Sequence, residues 1–221
     1  MAPEKQFFPR KLPSQERSKD TVEAILTAAA HIFSELGYAA TTTNKIALRA
    51  GVSIGSLYQY FPNKDAIIVS LTEQMFREGL KMTEAIVRDT ENSQATFRQK
   101  LRRFIEGMVA LHMKNPKLHK ILTEHAPNLH VLSDTAWQYE KEFSEMFTAM
   151  VEKEPDLRVT NLSLSATFVM LLTDAICHWL IQLSLQFPEE DKDPENLKQR
   201  KAFLTQTIDE LEDVLFRYLI K

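Results

Sequence analysis

The stretch AGVSIGSLYQYFPNK, residues 50–64, decides how the chain is read. The whole sequence holds 5 glycines in 221 residues, and two of them, Gly51 and Gly55, fall here. Upstream, TTTNKIALRAG has the marks of a short helix over 43–50, with Thr42 or Thr43 as N-cap and Gly51 as its stop. Downstream, Ser53 can cap a second short helix, SIGSLYQYF, which Pro62 ends. Two short helices joined only by Gly51 and Val52 follow the helix-turn-helix plan. Such a turn needs a residue tolerant of positive φ, then an apolar residue packed between the helices. Val52 fills that place, and Ile46, Leu57 and Phe61 complete a core with Val22 and Phe33.

With those positions turned inward, Ser53, Ile54, Gly55, Ser56, Tyr58, Gln59 and Tyr60 are expected to face outward, with Tyr58 straddling. Two tyrosines and an isoleucine gain little from water, but they suit a DNA surface. Hydroxyls and Gln59 bond phosphates or base edges, Ile54 can meet a thymine methyl, and Gly55 lets backbone approach the duplex. Helix N-termini at Thr43 and Asn63 present amides suited to phosphate, and Lys64 adds a charge beside the second. Arg49 and Lys45 are further candidates for electrostatic contacts, or merely solvated charges.

Working outward, SQERSKDTVEAILTAAAHIFSELG places Val22, Ile25, Leu26, Ala29, Ile32, Phe33 and Leu36 on one face of a helix that Gly37 stops. Residues 1–13, with three prolines, read as a flexible arm. A fourth helix runs from Lys64 to about Val87, and further helices are expected over 93–115, 116–125, 133–152, 160–186 and 195–220, with prolines at the joins. No strand-like alternation appears, so the expected fold is all-α. The domain boundary expected is 1–62 for an N-terminal arm and DNA-binding head, and 63–221 for a second domain.

The net charge of −3 hides a split. Residues 1–64 carry a net +3 and the remainder −6, a basic head on an acidic body, as befits a polyanion-binding module attached to something else. The single Cys177 excludes an intramolecular disulfide and fits a reducing, cytoplasmic setting. The N-terminus lacks an apolar core of signal-peptide length, so export is not expected. Residues 162–185 are apolar enough to be weighed as a membrane span. Asp174 sits near their middle, however, where insertion costs about 2.5–3.5 kcal/mol. A buried or subunit-interface helix has the same composition, and no membrane partner is expected.

The segment GYAATTTNKIALRAGVSIGSLYQYFPNKDAI resembles the DNA-binding segment of the TetR family of transcriptional regulators. The shared features are the Gly-Tyr stop, the Thr cluster, Ile-Ala, Ala-Gly-Val-Ser, Gly-x-Leu-Tyr-x-Tyr-Phe and the Asn-Lys before the fourth helix, within about residues 16–70. The resemblance implies an all-helical homodimer of about nine helices. It also implies DNA contacts by Thr43, Ser53, Gly55, Ser56, Tyr58, Tyr60 and Lys64, mainly to phosphates, with Ile54, Ser56 and Gln59 near bases. An effector pocket in the C-terminal part is implied as well, without the identity of the effector.

The last two helices are the candidates for self-association, since 160–186 is apolar on too many faces for one small subunit. Phe104, Met108, His112, Trp137, Phe143, Met146, Phe147, Phe168, Leu171 and Asp174 are candidate pocket residues, of a kind that suits an apolar or amphipathic small molecule. His112, His119, His125 and His130 lack a tight i, i+4 pairing, so neither a metal nor another cofactor is expected. Asp174 and His178, i and i+4 on an apolar helix, are placed to pair with each other or across a dimer. No nucleophile, phosphate-binding glycine loop or metal-ligand cluster argues for an enzyme. The expected function is a homodimeric repressor released from a palindromic double-stranded operator by a small ligand. The alternative is an architectural DNA-binding protein of the same fold with no effector.

Overall fold

The computed structural model describes residues 16–91, 95–126, 132–152, 154–186 and 193–221, so the arm expected over 1–13 lies outside the described residues. Among the described residues the chain forms nine helices and no strand. They are α1 (Glu16–Ala40), α2 (Thr43–Ala50), α3 (Ile54–Tyr60), α4 (Lys64–Glu91), α5 (Phe97–Met113), α6 (Pro116–His125), α7 (Leu132–Val151), α8 (Leu162–Ser184) and α9 (Pro194–Leu219). The all-α expectation holds.

Helix boundaries follow side-chain caps. Gly37 (φ 73°, ψ 171°) breaks α1, and Leu36, just before the break, is exposed although it continues the apolar row. Thr42 is the N-cap of α2, its oxygen accepting the Lys45 amide at 3.3 Å. Asn63 Oδ1 accepts the Ala66 amide at 2.9 Å and so starts α4. α5 begins at Phe97 rather than 93 because Thr96 and Gln99 form a reciprocal capping box. α8 begins at Leu162 rather than 160 because Asn161 Oδ1 accepts the Leu164 amide.

The chain packs as two compact units, Met1–Phe76 with Lys117–Ala136, and Arg77–Pro116 with Trp137–Lys221. The first has its own core of Ile25, Phe33, Ile46, Leu57, Phe61, Ile67 and Ile68, joined by Leu122 of α6. Ala66 to Val69, four consecutive residues at the start of α4, are all fully buried, so that turn is enclosed on every side.

The second unit is built on α5, α8 and α9, with Leu101, Ile105, Phe147, Val169, Cys177 and Leu215 at its centre. Charged groups cross-tie α5 to α9. Arg98 donates to Glu212 at 2.5 Å and to Asp213 at 3.2 Å, while Arg102 donates to Glu212 at 3.0 Å and also to Asp209. Glu212 is buried, and the two guanidiniums supply the hydrogen bonds that a buried carboxylate requires. α8 is long and apolar enough to cross a membrane by length and composition. Here one side of it, including Ala166, Val169, Thr173, Cys177 and Ile181, is buried within the unit.

The turn between α2 and α3 depends on a backbone that other residues resist. Gly51 sits at φ 68°, ψ 25°; its amide donates to the Leu48 carbonyl at 3.2 Å, and the Val52 amide donates to Ala47 at 3.1 Å. These are the paired bonds of a Schellman ending. A side chain there meets no neighbour within 4 Å, so its cost is conformational. Gly51→Ala is expected to destabilise the first unit by about 1–2 kcal/mol, the left-handed penalty for a residue with a Cβ. Thermal unfolding followed by circular dichroism checks it.

Candidate nucleic-acid interface

α3 divides its side chains by angle. Leu57, Tyr60 and Phe61 point into the core, whereas Ser53, Ile54, Gly55, Tyr58 and Gln59 are exposed and Ser56 is half-buried. Tyr60 corrects the expectation of an outward ring: it is only 7% exposed. The reason is geometric, since Tyr60 lies three residues after the buried Leu57 and therefore on the same helix face. Tyr58 lies four residues after Ile54, so those two share the exposed face, and Tyr58 is 40% exposed.

The hydroxyls on this surface are held in place. Ser53 Oγ accepts the Ser56 amide at 3.0 Å and lies 2.8 Å from Ser56 Oγ. Thr43 Oγ1 and the Tyr58 hydroxyl are 3.0 Å apart, a direct polar link between α2 and α3. Gly55 has only Ser53 Oγ, at 3.7 Å, near the position of an added Cβ, so the surface there is open.

α2 adds Leu48, which is 84% exposed and which sequence pattern did not single out. An apolar side chain left in water on the helix that precedes α3 is the signal that marks it. Arg49 pairs with Glu35 at 3.2 Å, and Lys45 donates to the Ala40 carbonyl at 2.9 Å, so both cations have intramolecular partners.

Lys64 is tied down as well. Its ammonium donates to the Tyr38 carbonyl at 2.9 Å and to Thr41 at 3.4 Å, and it lies 3.9 Å from the Tyr38 ring centroid. Tyr38 is a positioning residue that sequence reasoning missed. Its hydroxyl donates to Asp65, and its ring stacks on His125 at 3.9 Å and on Phe33 at 6.1 Å. Burial, together with the hydrogen bond to the Asp65 carboxylate, pushes the Tyr38 hydroxyl well above the usual phenol range. It therefore stays a donor and locks the start of α4 to the end of α1.

The candidate pocket residues separate into groups. Phe104, Phe143 and Phe147 are buried against one another, with ring centroids 5.3 and 6.1 Å apart. Met108 and Met146 are half-buried, while Trp137, Phe168 and Leu171 are exposed. His112 and Asp174 come together, His112 Nε2 lying 3.0 Å from Asp174 Oδ1. Asp174 also pairs with His178 at 3.1 Å, which answers within one chain how those two are arranged. Burial pushes the Asp174 carboxyl up, but hydrogen bonds from both imidazoles outweigh it and hold the group well below the usual range. The same carboxylate raises His178. Burial, with the Asp174 charge, pushes the Cys177 thiol up to about 12. An apolar cavity of about 600 Å³ lies elsewhere, lined by Met113, Leu180, Leu183, Phe203 and Leu204, with Gln199 and Arg200 among its polar groups.

Two short helices across a left-handed glycine turn, the second packed on one side and presenting hydroxyl, amide and apolar groups on the other, define a helix-turn-helix module. Residues 25–71 match the family of bacterial regulatory proteins, tetR family, and residues 96–193 match the tetracyclin repressor-like C-terminal domain, together about two thirds of the chain. The chain belongs to the TetR family.

Among curated relatives, it is 29% identical over 119 residues to the nucleoid occlusion factor SlmA of Pasteurella multocida, covering 52% of this chain and 56% of that protein. It is 34% identical over 77 residues to the fatty acid metabolism regulator protein of Bacillus subtilis, covering 35% and 38%. The chain thus spans about half or less of the length of these curated relatives. The same fold occurs in the fatty acid degradation regulator FadR of Bacillus halodurans, at 19% identity, a TM-score of 0.65 and coverage of 88% and 94%. It also occurs in NalD of Pseudomonas aeruginosa, the secondary repressor of a multidrug efflux pump, at 20% identity, a TM-score of 0.62 and coverage of 92% and 98%.

Ser53 is the N-cap of α3, its oxygen accepting the Ser56 amide. Ser53→Ala is expected to destabilise α3 by about 1 kcal/mol, and Ser53→Gly by only a few tenths. Hydrogen exchange at the α3 amides distinguishes the two variants.

Proposed function

We propose that the chain is a homodimeric transcriptional repressor that binds a palindromic double-stranded operator through α2 and α3. The observation that carries this reading is the exposed face of α3. Ser53, Ile54, Tyr58 and Gln59 stand in solvent on a helix whose other side is locked into the core. Ile54, Ser56 and Gln59 are assigned to base edges, and Thr43, Ser53, Gly55 and Tyr58 to phosphates. Tyr60 and Lys64 act mainly by setting the position of α3 and of the α4 N-terminus. The functional division proposed is 1–62 for the DNA-binding head and 63–221 for effector binding and dimerisation, in the cytoplasm.

Self-association is assigned to α8 and α9. Phe168, Leu171, Leu172 and Trp179 on α8, and Phe203 and Val214 on α9, leave apolar surface exposed on the single chain. A two-fold pair of heads must meet successive major grooves, about 34–36 Å apart or a multiple of that. A ligand that prefers another spacing of the heads releases the operator. The α5–α8–α9 cavity suits an apolar or amphipathic ligand better than the Phe104–Phe143–Phe147 cluster, whose rings already fill their space against one another. The names of the Bacillus subtilis and Pseudomonas aeruginosa proteins, a fatty acid metabolism regulator and an efflux-pump repressor, support a regulatory role. The nucleoid occlusion factor among the relatives favours the second reading, a DNA-binding protein without a small-molecule effector. A thermal-shift screen of diverse ligands separates the two, because ligands that bind the folded state raise its melting temperature.

Gln59→Ala and Tyr58→Ala are each expected to weaken binding to a duplex selected from random sequence by about tenfold, with the dimer intact. Fluorescence anisotropy at fixed salt reads the effect, and wild-type affinity in both variants refutes the assigned surface. Wild-type affinity is expected to fall steeply with salt as phosphate contacts release counterions. Trp179→Glu is expected to yield monomers in light scattering, because it buries a charge in the assigned interface.

A further inference from the structure

His112, Asp174 and His178 lie within the second unit, the first on α5 and the others on α8. They are 62 and 66 positions apart in the chain, and the packing of α5 on α8 brings them together. Each imidazole meets a different oxygen of one carboxylate. His112 Nε2 lies 3.0 Å from Asp174 Oδ1, and His178 Nδ1 lies 3.1 Å from Asp174 Oδ2. Ligating atoms of the two histidines lie within 4.8 Å of each other.

The other nitrogen of His112 sharpens the chemistry. Its Nδ1 is 2.8 Å from the Met108 carbonyl, which can only accept. On a side chain only 5% exposed, these two contacts hold the ring in one orientation, with Nε2 aimed at Asp174. The carbonyl contact is also the outer hydrogen bond that orients metal-binding histidines elsewhere in proteins.

We propose that His112, Asp174 and His178 bind one divalent transition-metal ion of borderline softness, Zn²⁺, Ni²⁺ or Co²⁺. Two imidazole nitrogens and a carboxylate are a donor set for such ions. Imidazole and carboxylate ligands bond zinc at about 2.0–2.2 Å, so the 3.0 and 3.1 Å histidine–carboxylate spacings let one ion reach all three groups with small side-chain shifts. One ion seated on both oxygens of Asp174 takes His112 on one flank and His178 on the other. Asp174 and His178 are partly exposed, at 41% and 37%, which leaves access from solvent and open coordination positions. The ion ties α5 to α8.

The test uses the full-length protein without an affinity tag, stripped with a chelator and titrated with Co²⁺ and Zn²⁺. The expected result is one ion per chain by calorimetry, visible Co²⁺ bands, and a higher melting temperature with Zn²⁺ but not Mg²⁺. His112→Ala and His178→Ala are expected to lower affinity by more than tenfold, as is Asp174→Asn, which keeps the side chain's size. His31→Ala, which removes an exposed histidine on α1, is expected to leave binding unchanged. Folding of each variant is checked by circular dichroism. No binding to the wild type, or binding that survives in folded Asp174→Asn and His112→Ala proteins, overturns the site; loss with His31→Ala instead assigns the ion to the surface.

Discussion

The hydrogen bond from the Val52 amide to the Ala47 carbonyl, reached through the left-handed Gly51, is the contact on which the exposed face of α3 depends. It closes the end of α2 and starts α3 in one direction only. Leu57, Tyr60 and Phe61 then reach the core beside Ile46 and Ala47. Once those three are fixed, the helix has no rotational freedom left, and Ser53, Ile54, Tyr58 and Gln59 are exposed by geometry. The Thr43–Tyr58 hydroxyl contact adds a polar brace between the same two helices. A surface meant to meet a rigid duplex gains from such restraint, because less conformational freedom remains to be lost on binding.

The same logic extends to the junction behind it. Tyr38 follows the glycine break in α1 and gathers Lys64, Asp65 and His125 around one ring. The N-terminus of α4, whose amides suit a phosphate, is thereby held to the head by a donor that stays protonated. Its cation serves the protein's own carbonyls, so Lys64 braces the helix end and is not a free charge.

Much of this was readable from residue order alone. Gly51, the 3.6-residue spacing of Val22, Ile25, Ala29, Ile32 and Phe33 along α1, and the prolines at the joins define the head and the all-α body because they are local rules. Tyr60 shows where residue chemistry misleads: a tyrosine suits an interface, yet its position three residues from Leu57 decides its direction. The starts of α5 and α8, at Phe97 and Leu162, differ from the pattern because a single side-chain cap, Thr96 or Asn161, outweighs several residues of favourable pattern. The aromatic residues of the body were harder still. Whether Phe143 lines a cavity or fills a core depends on its distance from Phe104, which no spacing encodes. Asp174 and His178 were visible as a pair, but His112 joins them only through the packing of α5 on α8.

Cys177 sits in that packing, fully enclosed, with its thiol pushed far from the reactive thiolate. It is the chain's one sulfhydryl. While the body stays closed the chain has almost no thiolate to offer a thiol-selective alkylating reagent. The rate at which such a reagent reacts is therefore a clock for how often α8 leaves its neighbours, a readout of opening that needs neither ligand nor DNA.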